Sequence, residues 1–258
     1  MTAALSLVAC VDKPLAIDLF CGLGGWTEGL LAEGFRVVGF DVERHAYGEA
    51  KYPAQLVIQD VLTIHGSQFK SAALIVASPP CQDFSYMAMP WSRAKAIAAD
   101  YRSGKRDVAD LTRLFDACLR IQREASEAAG HHIPMVVENV RGAIPWVGRS
   151  RWNFGSFHLW GDVPALMPIV KRAHTKTVGH VNKRDGHSHK RNLTNQRESD
   201  GIKQGGIGGL RANGKGDAWF QDGAAKHGSK SHARKAASAM IAKIPLTLSQ
   251  HIAKVYHP

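Results

Sequence analysis

The chain has 258 residues, enough for one well-buried α/β core with a small appended lobe but too few for two full domains of ordinary size. Its cysteines, Cys10, Cys21, Cys81 and Cys118, stand far apart with no Cys-x-x-Cys pair, which argues against a disulfide framework or a zinc knuckle and for a reducing compartment. The formal charge of +11 is concentrated: residues 171–235 hold 15 Lys+Arg against 5 Asp+Glu, and the rest of the chain is within one charge of neutral, so that window is the expected surface for nucleic acid.

Met1–Cys10 is mildly apolar, with no basic lead-in and no run long enough for export or for crossing a bilayer, so a cytoplasmic protein without membrane contact is expected. From residue 14 to about 140, short apolar runs alternate with amphipathic stretches. This pattern predicts a doubly wound α/β sheet. Strands are predicted over Leu15–Phe20, Arg36–Asp41, Ala54–Ile58, Ala73–Ala77 and Pro134–Glu138, each rich in Val, Ile or Leu. Helices are predicted over Trp26–Glu33 and Arg106–Ala129, the second with Val108, Leu111, Leu114, Phe115, Cys118, Leu119 and Ile121 at helical spacing behind an Asp107 cap. Over 171–235 the apolar periodicity gives way to Gly, Lys, Arg, His, Asn and Ser, a composition that alone reads as a linker. A helical pattern returns from Ala233 (Ala236, Met240, Ile244, Leu248, Ile252, Val255). The expected organisation is therefore a catalytic and cofactor-binding unit over 1–170, a small basic insertion over 171–235 and a C-terminal helix over 236–258 that returns to the first unit.

The loop Asp18-Leu-Phe-Cys-Gly-Leu-Gly-Gly-Trp26 follows a strand and opens a helix, where doubly wound folds bind adenosine-containing cofactors. The glycines Gly22, Gly24 and Gly25 are not spaced as a dinucleotide fingerprint, because Thr27 stands where its third glycine would be, so NAD and FAD are disfavoured. Asp41 ends the next strand, suited to ribose hydroxyls. Asp60 lies just past the third strand, suited to an adenine amino group; either could equally be a cap or a surface charge. The strand Leu74-Ile-Val-Ala77 runs into Ser78-Pro79-Pro80-Cys81-Gln82-Asp83-Phe84-Ser85, where two prolines fix the approach and present the thiol. A lone cysteine is usually a small buried hydrophobe; the prolines and the strand-end position favour a nucleophile. A further strand delivers Glu138-Asn139-Val140 to the same sheet edge, with Glu138 either a partner for a backbone donor or a general acid. Arg149 and Arg151 follow; either could hold a polar ring or phosphate, though taken alone both read as surface residues. In Gly186-His-Ser-His189 the two histidines lack a third ligand at motif spacing and read as solvated, so no metal is expected.

Taken in order, these motifs resemble the cytosine-C5 DNA methyltransferase family over most of the chain. The cofactor loop resembles Asp18-Leu-Phe-Cys-Gly-Leu-Gly-Gly25, and the catalytic Pro-Cys-Gln signature falls on Pro80-Cys81-Gln82 with Phe84 and Ser85. The Glu-Asn-Val signature falls on Glu138-Asn139-Val140. The resemblance implies a Rossmann-like methyltransferase sheet that binds S-adenosylmethionine through Asp18, Phe20, Gly22, Leu23, Gly25, the ribose acid Asp41 with Val42, the adenine acid Asp60 with Val61, and Pro80. It also implies a flipped-out cytosine attacked at C6 by Cys81, with Glu138 at the ring nitrogen and Arg151 at the base carbonyl. The partner it implies is duplex DNA, and a monomer is expected.

Two departures stand out. The family's Gln-x-Arg-x-Arg signature survives as Arg149-Ser-Arg151, and its closing Gly-Asn-Ser/Ala-Val element as Ala242-Lys-Ile-Pro245 without the asparagine. The stretch Asp83–Lys105, with Met87, Met89, Trp91, Arg93 and Lys95, reads as a lid beside DNA or as a static helical excursion. The alternatives are an RNA (tRNA) cytosine-C5 methyltransferase, since relatives of the DNA family modify tRNA with the same residues, and a catalytically silent nucleic-acid-binding relative, which the altered closing element favours.

Overall fold

A computed structural model describes residues 13–82, 84, 91–167 and 232–258. The basic window, apart from its last four residues, lies outside this set, as do the boundary drawn at 170 and the histidines at 187 and 189.

Five parallel strands form the heart of a seven-stranded sheet. They are β1 (Leu15–Leu19), β2 (Arg36–Asp41), β5 (Gln55–Ile58), β6 (Ala72–Ala77) and β7 (Met135–Asn139). Their order is β5-β2-β1-β6-β7, so the chain winds outward from β1 to one side and then crosses to the other. The reversal falls between β1 and β6, where this topology opens a ligand crevice at the carboxyl ends of the strands. The predicted strands agree with the observed ones to within a residue at either end.

The continuous apolar runs are explained by burial on both faces. Ile17, Leu19, Ile75, Ala77, Met135 and Val137 enter one core with Leu111, Phe115, Cys118 and Ile121 of α3 (Val108–Ala129). The alternate residues Ala16, Val37, Leu74, Val76 and Val136 enter a second core with Trp26 and Leu30 of α1 (Gly25–Ala32), and with Leu248 and Ile252 of a C-terminal helix. Each large side chain so buried contributes about 1.5–3 kcal/mol. Helix α3 starts where expected: the Asp107 carboxylate accepts from Ala109 N–H at 2.9 Å, and Gly130 in a left-handed conformation ends it. Leu119, predicted on its apolar face, is exposed at the flank of that face, in a surface hollow shared with Leu62.

Several elements escaped the sequence reading. Strands β8 (Trp152–Phe154) and β9 (Phe157–Gly161) extend the sheet antiparallel beyond β7, and β3 (Ala46–Tyr47) and β4 (Ala50–Lys51) form a small separate hairpin. A short helix, α4 (Ile144–Val147), follows β7, whereas α2 (Trp91–Arg102) falls in the stretch after Cys81 for which a helical excursion is one of the two expectations. The C-terminal pattern is two helices, not one. They are α5 (His232–Ala242) and α6 (Leu246–Tyr256), separated at Pro245, which lacks the N–H needed to continue a helix. Gly29 lets α6 lie against α1, since a Cβ there would be 2.2 Å from Ser249 Oγ and 2.5 Å from Gln250 N.

Candidate active site

Register aligns the site. Phe40, Leu19, Ala77 and Val137 are successive partners across β2, β1, β6 and β7. The next residue on each strand therefore forms a row at the carboxyl edge: Asp41, Phe20, Ser78 and Glu138. Side chains alternate along strands, so Asp18, Asp41 and Glu138 share the face that carries α1.

In the glycine loop Phe20 has φ 58°, a left-handed conformation uncommon outside glycine, followed by Gly22 at 52° and Gly24 at 79°. Its glycines serve different neighbours. A Cβ on Gly22 would meet no atom within 4 Å, so backbone is open there, whereas one on Gly24 would strike Pro53 and one on Gly25 the backbone of Ile244. Gly25 thus admits the remnant of the closing element, Lys243-Ile244, which Lys243 also ties to Glu28 through an ion pair. Leu23 is buried.

Asp18 sits beneath this loop, 1% exposed. Thr27 donates its hydroxyl hydrogen to Asp18 Oδ2 at 2.6 Å, and with that hydrogen committed, the Tyr52 hydroxyl at 2.7 Å donates to Thr27. Asp18 Oδ1 has no partner among the described residues. Burial pushes the carboxyl up to about 7, only partly countered by the Thr27 bond. Thr27, which breaks the dinucleotide fingerprint, thus has a structural reason to be there.

Asp41 is pinned from two sides: Oδ2 accepts from Gly22 N–H at 2.9 Å and Oδ1 from Val42 N–H at 2.8 Å. Burial would raise its pKa, but His45 and the amides of Gly22 and Glu43 hold it below the usual carboxylate range. Val42 is 63% exposed beside it. Asp60 is exposed and caps the turn Val61–Thr63 by accepting from Leu62 N–H at 2.9 Å; Val61 is buried under that turn.

On β6, Ser78 accepts from Trp26 Nε1 at 3.0 Å, Pro79 is buried, Pro80 exposed, and Cys81 half-buried. Asn139 donates from Nδ2 to the Pro79 carbonyl at 3.0 Å and accepts from Val140 N–H through Oδ1 at 2.8 Å. The Glu-Asn-Val strand is thereby bonded to the proline pair that leads to the thiol. Glu138 is 4% exposed on β7, opposite Leu159 of β9. Arg151 immediately precedes β8, two strands out from the β7 strand that carries Glu138. Its backbone N–H bonds to Leu159 O at 2.9 Å and its side chain is exposed. Two strand spacings, about 10 Å, separate its backbone from Glu138. None of the described helices is long and apolar enough to cross a membrane, and no three metal-ligating side chains cluster among the described residues.

The structure adds to the sequence reading the partners that hold each site residue: Thr27 and Tyr52 at Asp18, Trp26 at Ser78, Asn139 at Pro79 and His45 at Asp41. Thr27 and Asn139 stood in motifs that the sequence marked, and Trp26 closed the glycine loop, whereas Tyr52 and His45 carried no sequence signal.

A doubly wound sheet with a glycine loop after its first strand, acids at the ends of the second and third and a cysteine after the fourth defines a Rossmann-like transferase. Residues 15–143, half of the chain, match the family described as C-5 cytosine-specific DNA methylase. The chain belongs to this family, whose members are methyltransferases. It is 35% identical over 79 residues to the type II methylase M.HgiDII of Herpetosiphon aurantiacus, covering 27% of this chain and 22% of that protein. It is 31% identical over 147 residues to the type II methyltransferase M.AplI of Arthrospira platensis, covering 54% and 35% respectively. The matched region thus spans about a third or less of either relative's length. Among solved structures it is similar to the Dnmt2 methyltransferase of S. pombe, with 17% identity and a TM-score of 0.32 over 51% of this chain and 36% of that one. It is also similar to the methyltransferase EhMeth of Entamoeba histolytica, with 15% identity and a TM-score of 0.31 over 50% and 39%.

Proposed function

We propose that this protein transfers a methyl group from S-adenosylmethionine to C5 of cytosine in duplex DNA, with Cys81 as the nucleophile. The observation that carries this reading is the row at the sheet edge, in which Asp41, the Ser78-to-Cys81 turn and Glu138 stand side by side, with Asn139 bonded to the turn. The family description, C-5 cytosine-specific DNA methylase, favours DNA over the tRNA alternative.

The residues present fit the cofactor. Open backbone at Gly22, an unpartnered Asp18 oxygen beneath the loop and an ionised Asp41 beside it suit a ligand that brings hydrogen-bond donors and an adenosine. Asp41 would accept from a ribose hydroxyl, and Asp60 would accept from the adenine amino group. Phe20, Val42 and Pro80 would line the pocket, Leu23 and Val61, whose side chains are buried in the fold, would meet the cofactor only through their backbone, and the amides of Gly22 and Gly25 would meet polar groups. When bound, the cofactor supplies an electrophilic methyl group.

Cytosine C5 is a poor nucleophile, so covalent activation is required. The target base rotates out of the stack, at about a few kcal/mol. The Cys81 thiolate forms a bond to C6, and Glu138 stabilises the ring at N3 as electron density moves towards C5. With the cofactor bound, C5 would take the methyl group as the sulfonium S–CH3 bond breaks to leave S-adenosylhomocysteine. Loss of the C5 proton to solvent and cleavage of the Sγ–C6 bond would then return the Cys81 thiolate and 5-methylcytosine. Arg151 would contact the base carbonyl only if its side chain turns inward from its exposed position. The basic insertion 171–235 contacts DNA phosphates, and the protein acts as a monomer in the cytoplasm.

Transfer of labelled methyl groups to duplex DNA and to tRNA tests the reading. Incorporation into DNA alone supports it, incorporation into tRNA alone moves the substrate to RNA, and none into either favours the silent binding relative.

A further inference from the structure

Asp41 is approached on its exposed side by a side chain that no motif marks. His45 lies in the turn between β2 and the hairpin β3–β4, half-buried, with Nε2 3.6 Å from Asp41 Oδ1. Its other ring nitrogen is 3.8 Å from Glu43 Oε1 and 3.3 Å from the Tyr47 hydroxyl. An imidazole between two carboxylates has its charged form favoured. Lys235 of α5, 3.6 Å from Glu43 Oε2, opposes this from the far side, and His232 of the same helix packs edge-on against Tyr47 at 5.2 Å. Among the described residues, the charged and titratable groups around His45 are Asp41, Glu43, Tyr47 and Lys235, with His232 behind Tyr47.

The acceptor count on Asp41 gives this contact its consequence. Two backbone amides, from Gly22 and Val42, already take one lone pair on each oxygen, and the Glu43 amide adds a long contact of 3.4 Å to Oδ1. Few acceptor positions remain for a ribose, so the plane of the carboxylate and its ionisation decide whether a hydroxyl is received.

We propose that His45 is a positioning residue of the cofactor site, holding Asp41 ionised and in plane for the ribose and making cofactor affinity depend on the state of the imidazole. This rests on the reading of Asp41 as the ribose acid. The directions agree with the geometry: the Asp41 carboxylate 3.6 Å away raises His45 above its ordinary value, against the burial that lowers it, while His45 lowers Asp41. With both groups charged, the clamp is complete below the raised value of His45 and above the depressed value of Asp41. It is lost as pH rises through the former.

Calorimetric titration of S-adenosylhomocysteine into the full chain, between about pH 6 and pH 9, tests the proposal by comparing the parent with His45→Gln; the difference cancels the ligand's own titration. The parent should bind about two- to fivefold more tightly at pH 6, as expected for a partly exposed ion pair, with the gap closing by pH 9. Glu43→Gln, which removes the second carboxylate, should move the closing of that gap to lower pH. Parallel pH profiles for parent and His45→Gln, with Asp41→Asn still weakening binding, would overturn the role of His45 and leave Asp41 standing. Unchanged binding by Asp41→Asn would overturn both.

Discussion

Glu138 is nearly inaccessible, near the carboxyl end of a covered strand, and a carboxyl group in such a place needs a function or a partner. If its part is to stabilise the ring as charge develops, Glu138→Gln should leave DNA affinity within about twofold of the parent while single-turnover methylation slows by roughly 10²-fold or more. Rapid-quench kinetics beside a DNA-binding isotherm separate the two; lost affinity with a preserved rate would mark Glu138 as a docking residue. Asp18 makes a different prediction, about stability. Its carboxyl is raised from its ordinary 3.8 to about 7 by burial, so the folded state holds a proton that the unfolded state releases between those values. Stability from this group is fully present below about pH 4 and lost as pH rises through 7. Asp18→Asn removes that proton exchange. Between pH 4 and 7 the melting temperature of the parent should therefore fall relative to that of the variant, in the absence of cofactor. Parallel melting curves across this range would show that Asp18 is ionised in the fold.

At the scale of elements, the bond between Asn139 and the Pro79 carbonyl joins β7 to the turn carrying Cys81. Asn139→Ala leaves a buried carbonyl without its donor, which costs about 1–3 kcal/mol, and frees the turn. Methyl transfer should fall, with cofactor binding, measured by calorimetry, unchanged; a variant as active as its parent would show that the turn is held by its prolines alone. The sequence could name the ends of this bond but not the bond, because it joins residues 60 apart. The same holds for Trp26 with Ser78 at 52 apart. The parallel strands were legible because burial on both faces demands unbroken apolar runs such as Leu74-Ile-Val-Ala77. Strands β8 and β9 were not, since Trp152-Asn-Phe154 and Phe157-His-Leu-Trp-Gly161 are short, interrupted by polar residues and joined by a turn with Gly155 at φ 61°. The C-terminal pattern read as one helix because apolar spacing continues through Pro245, which nonetheless divides it.

For the whole molecule, the separation of charge is the feature with the largest consequence. The described α/β core carries the proposed cofactor and methyl-transfer groups, and the excess of +10 lies over 171–235. Replacing that insertion with a short Gly-Ser linker should abolish specific DNA binding and leave S-adenosylhomocysteine binding to the core intact. In the parent, each phosphate neutralised by the insertion adds about −0.9 to the slope of log affinity against log salt. A salt series on parent and linker variant measures this difference, and tight, salt-sensitive binding by the variant would put the DNA surface elsewhere, for example on the exposed Arg93, Lys95 and Arg102 of α2.

Methylation of cytosine in DNA through Cys81 is the function proposed for this chain. Bisulfite sequencing of DNA from cells expressing the parent chain or Cys81→Ser tests it most directly, because it reads base, position and dependence on the thiol together. A serine hydroxyl is far less ionised at neutral pH than a thiol and cannot take its place in the attack on C6. The account predicts protected cytosines in a recurring sequence context with the parent and background levels with Cys81→Ser. Unprotected DNA from cells containing folded parent, or protection that survives in Cys81→Ser, would contradict it.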